Sequence, residues 1–427
     1  MAAPDLHTFT LPNGLRVVLA PDTTSPVVGV SVHYDVGFRS EPEGRTGFAH
    51  LFEHLMFQGS ESLEKLAHFR HVQSSGGTFN GSTHPDYTDY FEILPSAALE
   101  RALFLEADRM RAPKLTSENL RNQIDVVKEE IRLNVLNRPY GGFPWIYLPP
   151  VLYSTFPNAH NGYGDFTDLE QASLADCAAF FDTYYAPGNA VLTVAGDFVP
   201  DHARELVEKH FGDVPARETP PRPSFGEPRP QGELRGERRD PHAPLPAFAL
   251  GYRMPDPINE LDGYLAHLML AGVLSDGDGS RLQQRLVHRE ALVTDVNAGA
   301  GLFGPFEARD PDTFSITAMH SPEVTIDRVL AALDDEMERL ASTPPSEQEL
   351  AKVTARWVAS LHKDHDRVVS RTLSLGAFQL LYGDPALIYQ LPERIAAVTP
   401  ADVAGAAKLL RADSRAVLQV VPAGGNQ

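Results

Sequence analysis

Two histidines four residues apart with a glutamate between them, in the run His50-Leu51-Phe52-Glu53-His54, are the residues of this chain best equipped for chemistry. On a helix, positions i and i+4 lie one above the other on a single face, with i+3 beside them. Two imidazoles so placed can bind one metal ion from one side and leave its far side open. The adjacent carboxylate can then take a proton from a water held there. The order is H-x-x-E-H, the inverse of the commoner zinc-protease order H-E-x-x-H. Phe48, Leu51, Leu55 and Met56 add an apolar stripe at helical spacing. Gly44 and Gly47 upstream, with Gly59 and Ser60 downstream, bracket a helix of about three turns. A plain amphipathic helix has no reason to gather two histidines and a carboxylate on one patch.

A catalytic zinc takes three protein ligands and keeps one position open. The third must come from another element, and the segment from Gln123 to Arg132 is the natural place, because Ile124, Val127 and Ile131 mark an inward-packing helix there. Glu130 lies on or near that inward face. A glutamate flanking an apolar stripe is more often a solvated residue, so spacing alone leaves the third ligand open.

The chain has 427 residues, too many for one ordinary core, so two or more domains are expected. Its net charge of −20 argues against nucleic acid as a partner, since phosphate contact needs clustered Lys and Arg; basic peptides would be tolerated or attracted. No apolar run approaches the length of a membrane span. The start, Met1-Ala2-Ala3-Pro4-Asp5, lacks the basic and apolar character of a secretory signal, so the cytoplasm is the expected compartment, or a periplasmic or secreted one if a leader has been removed. The one cysteine, Cys177, sits among Ala178, Ala179, Phe180 and Phe181 and reads as a buried packing residue.

The sequence repeats itself. Leu174 to Val194 and Pro400 to Val420 align without a gap at a shift of 226 residues, with Ala175/Ala401, Asp176/Asp402, Ala190/Ala416, Val191/Val417 and Val194/Val420 among the identities. Each copy reads as a helix with a carboxylate in its first turn, a short break and a strand, which points to duplication. Between the copies, residues 214–230 carry six prolines, excluding helix and central strand. The expected division is therefore 1–213, a Pro-rich linker 214–230 and 231–427. Each half mixes alternating strand-like runs (Leu15 to Leu19, Val27 to Val32, Phe248 to Tyr252) with helical ones (Ala97 to Met110, Ser117 to Val135, Ile326 to Leu340, Ser346 to Leu361). The fold class is α+β, with two homologous halves, each a mostly antiparallel sheet with helices on one face.

With these residues in view, the chain resembles the pitrilysin family (M16) of inverted zinc peptidases, in the half-length branch that includes the mitochondrial processing peptidase beta subunit and bacterial homologues. The resemblance implies one zinc per chain, half of a clamshell chamber, and hydrolysis of oligopeptides. It selects Glu130 as third ligand, because Asp125-Val126-Val127-Lys128-Glu129-Glu130 matches the family's D-V-V-x-x-E segment in a register that passes over Glu129. It implies that Glu53 is the general base, accepting a proton from the attacking water and passing it to the leaving amine. It places the substrate along Phe79, Asn80 and Gly81, within Gly76 to Thr83, as an added strand. Glu106 to Met110 and Tyr185 to Ala190 also match, in structural roles. Many members carry a supporting glutamate two turns before the third ligand; this chain has Gln123.

The second half departs from the pattern. Active members carry an arginine and a tyrosine seven residues apart that reach the substrate. Anchoring on Ser280-Arg281-Leu282 and Leu292 puts Val287 and Thr294 in their places. Both losses together imply a zinc-bearing subunit of a heterodimer whose homologous partner supplies the Arg/Tyr pair, in preference to a homodimer. The other explanation is that Arg285, Arg289 or Tyr382 substitutes after a shift in register. His267 has no ligand partner at helical spacing and reads as a core or surface histidine. A non-hydrolytic zinc-containing peptide-binding or scaffold subunit is the alternative function.

Overall fold

Val27 to Tyr34 and Ala190 to Gly196 are almost continuous β-branched and small residues, a composition that suits strands covered on both faces. They form the centre of a six-stranded sheet in the computed structural model, which describes residues 5–222 and 224–423; Met1 to Pro4 and Pro223, on which part of the leader and linker readings rests, lie outside them. The strands are β1 (His7–Thr10), β2 (Arg16–Pro21), β3 (Val27–Tyr34), β4 (Thr78–Thr83), β5 (Thr88–Pro95) and β6 (Ala190–Gly196), in the order β1-β2-β6-β3-β5-β4. A second sheet holds β7 (Leu234–Asp240), β8 (Ala247–Arg253), β9 (Asp295–Ala300), β10 (Thr313–Met319) and β11 (Arg415–Pro422), in the order β7-β11-β8-β10-β9.

The two orders are one topology used twice. In each sheet a late strand (β6 or β11) runs parallel to an early one (β2 or β7) and antiparallel to the next (β3 or β8), and every other pairing is antiparallel. The repeated segment explains the insertion. Helix Leu174–Tyr184 opens with a capping box of Ser173 and Asp176, and helix Pro400–Ala407 with one of Thr399 and Asp402, at the same shift of 226 seen in the sequence. A 3-10 turn and then the inserted strand follow in both. The fold is α+β with two homologous halves.

Chain contacts divide these elements into two units in a way that sequence order does not announce. One consists of the chain up to Lys128 with Gly162–Ser224 and Leu361–Leu391; the other of Glu129–Asn161, Phe225–Ser360 and the chain from Pro392. Side chains alternate across a strand, so β3 shows Val28, Val30, Val32 and Tyr34 on one face and Gly29, Ser31 and His33 on the other. Helix Val368–Leu381, from late in the chain, packs on the second face. A Cβ at Gly29 would come within 2.3 Å of Thr372 Oγ1, and one at Gly376 within 2.4 Å of the His33 ring, so both glycines permit the approach. The other unit repeats the device with early residues. Leu148 and Leu152 lie against Gly251 of β8, and Val151 against Gly236 of β7.

Between Phe211 and Leu234 there is no helix or strand among the described residues, as the prolines require. The stretch is nevertheless anchored, because Phe225 is buried and the Glu227 carboxylate accepts hydrogen bonds from Ser154 N and Oγ (2.7 Å each), Thr155 N (3.1 Å), Thr155 Oγ1 and Asn158 Nδ2 (3.0 Å). Partial burial alone would raise this carboxyl, but the hydrogen bonds outweigh it and hold it down to about 2, against an ordinary 4.5. Its contribution to stability is therefore complete above pH 4.5 and lost as pH falls through 2. Glu227→Gln should lower the melting temperature at pH 7 by about 2–4 °C, for a loss of about 1 kcal/mol at this half-exposed site. Thermal melts of the two proteins should draw together as pH falls from 4.5 through 2; a gap undiminished at pH 2 would contradict the assignment.

Candidate metal centre

The helix that carries the motif runs Phe48–Leu55, two turns rather than three. It buries Phe48, Ala49, Leu51, Phe52 and Leu55, which leaves His50, Glu53 and His54 together off the core stripe. Gly47 stands at the N-cap with φ +85 and offers no side chain to the first backbone amides. Buried Glu41 takes that role, its carboxylate accepting from Gly47 N at 2.8 Å and from Ala49 N at 2.7 Å. Asp168 holds the preceding residue through Thr46 N (3.0 Å) and Thr46 Oγ1 (2.6 Å). The negative charge of Glu41 at a helix N-terminus adds a favourable dipole contact. Glu41→Ala should cost about 2 kcal/mol. By loosening the helix it should also weaken zinc binding about tenfold, as outer-shell supports do. Competition against a chromophoric chelator measures this; an unchanged affinity would mean the helix stands without its anchor.

Glu130 is carried by helix Ser117–Ile131, whose length through Lys128 belongs with the first sheet; the division between units falls inside this continuous helix. Gln123, Val127, Glu130 and Ile131 share its buried side, at spacings of four, seven and eight residues. Glu129 instead is exposed and pairs with Arg132 at 3.1 Å. Beyond Ile131 the expected α-helix changes to a π-helical turn, Arg132–Leu136. The ligand atoms of His50, His54 and Glu130 all lie within 4.8 Å of one another. The two imidazoles stand edge to face at 4.9 Å, and the Tyr163 ring meets His50 edge-on at 5.1 Å. Two imidazoles and a carboxylate at this span fit the protein ligand set of a zinc site. Gln123 is buried one seven-residue step before Glu130 and donates to Asn122 Oδ1 at 2.9 Å; it is outside the ligand group.

Facing the motif helix Phe48–Leu55 is β4, an edge strand paired only with β5 among the described residues. Its register sets Phe79 opposite Glu92, Asn80 opposite Phe91 and Gly81 opposite Tyr90. Asn80 is exposed, while Phe79 packs against Phe57, Phe69 and His68. Thr83 Oγ1 donates to Glu53 Oε2 at 2.7 Å. Below lie Tyr90 and Tyr185, hydroxyl to hydroxyl at 3.1 Å, both pushed far up by burial and so neutral beside the glutamate.

A second donor group, His68, Glu92 and Glu106, has no counterpart in the sequence reading. Here Arg109 supplies the positive charge, with Nε on Glu106 at 2.9 Å and Nη2 on the same carboxylate, and lies 3.7 Å from Glu92. Burial pushes the Glu106 carboxyl up while the Arg109 guanidinium pulls it down, and burial holds His68 down to about 3. This is a buried ion-pair cluster joining strand to helix, and a metal there would have to displace the guanidinium. The signal that could have found it is the Glu106-to-Met110 run, whose structural role was expected.

In the second half, His267 is buried, with Nδ1 at 2.8 Å from Gly263 O, and burial lowers its pKa, so it is a core histidine. Cys177 is likewise buried, its thiol pushed up to about 12 by desolvation, which removes it as a nucleophile. Val287 lies in a π-helical turn, Gln283–Arg289, and Thr294 Oγ1 is 3.2 Å from Met319 O. Arg285 is held by Glu290 (2.8 Å), Asp335 (2.6 Å) and Glu336 (3.2 Å), and Arg289 Nε donates to Gln284 O at 3.1 Å. The Tyr382 ring meets Phe378 at a tilt, 4.8 Å between centroids. No helix among the described residues is long and apolar enough to cross a membrane.

Residues 16–138 match the family described as "Insulinase (Peptidase family M16)", and residues 171–356 match "Peptidase M16 inactive domain". The chain is 29% identical over 370 residues to "Zinc protease PqqE" of Helicobacter pylori, covering 85% of this chain and 82% of that one. It is 28% identical over 404 residues to "Uncharacterized zinc protease Rv2782c" of Mycobacterium tuberculosis, covering 94% and 90%. The solved structure of a protease from Helicobacter pylori superposes with a TM-score of 0.89 at 26% identity, covering 98% of this chain and 100% of that one.

Proposed function

The chain belongs to peptidase family M16, and on that premise we propose that it is a zinc-dependent endopeptidase acting as the zinc-bearing member of a heterodimer. The observation that carries the reading is the convergence of Glu130 within 4.8 Å of His50 and His54, whose helix also presents Glu53. These three residues would hold one zinc ion, which when bound would polarise a water and the scissile carbonyl. Glu53 accepts the proton of the attacking water and returns it to the leaving nitrogen, so that one carboxylate serves as base and then as acid. The open edge of β4 offers backbone donors and acceptors to an extended peptide, with Asn80 exposed alongside and Gly81 admitting close approach. Phe79 is held by its aromatic neighbours and shapes the floor of that edge. Gln123 supports the helix by packing and hydrogen bonding rather than by charge.

The heterodimer reading rests on Val287 and Thr294, neither of which can do the work of an arginine and a tyrosine. The same observation favours, as a second reading, a zinc-containing peptide-binding or scaffold subunit that does not hydrolyse. Cys177 asks for no oxidising compartment, and the cytoplasm is the location we propose. The test is cleavage of a quenched mixed-sequence peptide library by the zinc-loaded chain, alone and with a homologous chain that carries the Arg/Tyr pair. Chelator-sensitive cleavage in the mixture supports the enzyme; zinc binding with no cleavage in either sample would leave the binding subunit.

A further inference from the structure

Glu53 has three side-chain torsions and stands at the edge of the core stripe, so its backbone alone does not fix where its carboxylate points. Thr83 does have a fixed position. It is the last residue of β4, paired with Thr88 of β5, and Thr88 Oγ1 is in turn anchored to Val36 O at 2.8 Å. Being β-branched, Thr83 has few rotamers in a strand, and its hydroxyl reaches Glu53 Oε2 at 2.7 Å. From the same face of β4, a Cβ on Gly81 would come within 3.1 Å of Glu53 Cγ. The stem is thus backed by a glycine and the carboxylate is caught by a hydroxyl two residues further along the same strand.

We propose that Thr83 is a positioning residue for Glu53, fixing one carboxylate oxygen so that the group meets the attacking water in a single orientation. The proposal rests on the peptidase reading above. It also ties substrate binding to catalysis, because the strand that would accept the peptide is the strand that aims the base. A base displaced by an ångström costs on the order of a hundredfold in rate.

Thr83→Val keeps the shape and the strand propensity while removing the hydroxyl; Thr83→Ser restores the hydroxyl. In the zinc-loaded full-length chain, Thr83→Val should lower kcat about 10- to 100-fold with KM within about twofold, and Thr83→Ser should return kcat to within about threefold. A peptide hydroxamate, which gives its proton to the general base, should bind Thr83→Val about tenfold more weakly by calorimetry and Thr83→Ser normally. This second reading works even where turnover needs a partner. Zinc content should be equal in all three proteins. In a Glu53→Gln background the Val substitution should add no further loss. Undiminished hydroxamate affinity in Thr83→Val, or failure of Ser to restore it, would overturn the proposal while leaving the peptidase intact. A wild-type chain that binds neither zinc nor hydroxamate would overturn the peptidase reading itself, and the role of Thr83 with it.

Discussion

A Glu53→Gln chain is expected to bind zinc as the wild type does and to hydrolyse peptides about a hundredfold to ten-thousandfold more slowly, the contribution of a positioned general base. Glutamine has the length and shape of glutamate, and its carbonyl oxygen can accept the bond from Thr83. What it lacks is the capacity to take a proton. The three residues whose donor atoms converge, His50, His54 and Glu130, are untouched, so zinc content by elemental analysis should stay at the wild-type level. Equal metal and lost turnover together separate a base from a ligand. Retention of most activity would move the base elsewhere.

The second large effect is expected from mixing. The isolated zinc-loaded chain should turn over at about a hundredth to a thousandth of the rate reached with a homologous chain bearing the arginine and tyrosine, since removing an oxyanion donor costs that much. Titration of the partner should saturate at one to one. Substitution from within is poorly placed. Arg285 is engaged by three carboxylates and would have to give up all three to reach a substrate. Arg289 is tied to the backbone of its own turn. Full activity of the chain alone, with no gain on mixing, would defeat the partner hypothesis.

Most of the candidate metal centre was legible because its parts are local. His50, Glu53 and His54 lie within one helical turn, and the face they share follows from 3.6 residues per turn. The inward side of the 117–131 helix was visible in Ile124, Val127 and Ile131, but choosing Glu130 over Glu129 needed the family resemblance; in the structure the choice corresponds to an exposed Glu129 paired with Arg132. The duplication was legible for the same reason, as an ungapped segment whose capping boxes reappear in place. What could not be read was whatever joins distant positions by side-chain contact. Thr83 is one threonine in a strand, and nothing in its neighbours announces Glu53. The ion-pair cluster around Arg109 draws on four separate positions of the chain, and the anchoring of the proline-rich stretch depends on one glutamate, Glu227, finding a turn seventy residues earlier.

The glycines at 29, 376, 236 and 251 carry a consequence for how this protein is made. Each sheet leaves one face of small residues that is covered by a segment encoded in the opposite part of the gene, Val368–Leu381 in one case and the turn around Leu148 and Leu152 in the other. Synthesis runs from the N-terminus, so the first sheet waits with a bare face until nearly the whole polypeptide has left the ribosome. Its early segment, meanwhile, has no sheet to cover until the second one is translated. Cutting the duplicated gene at the linker would therefore part each sheet from the segment that covers it.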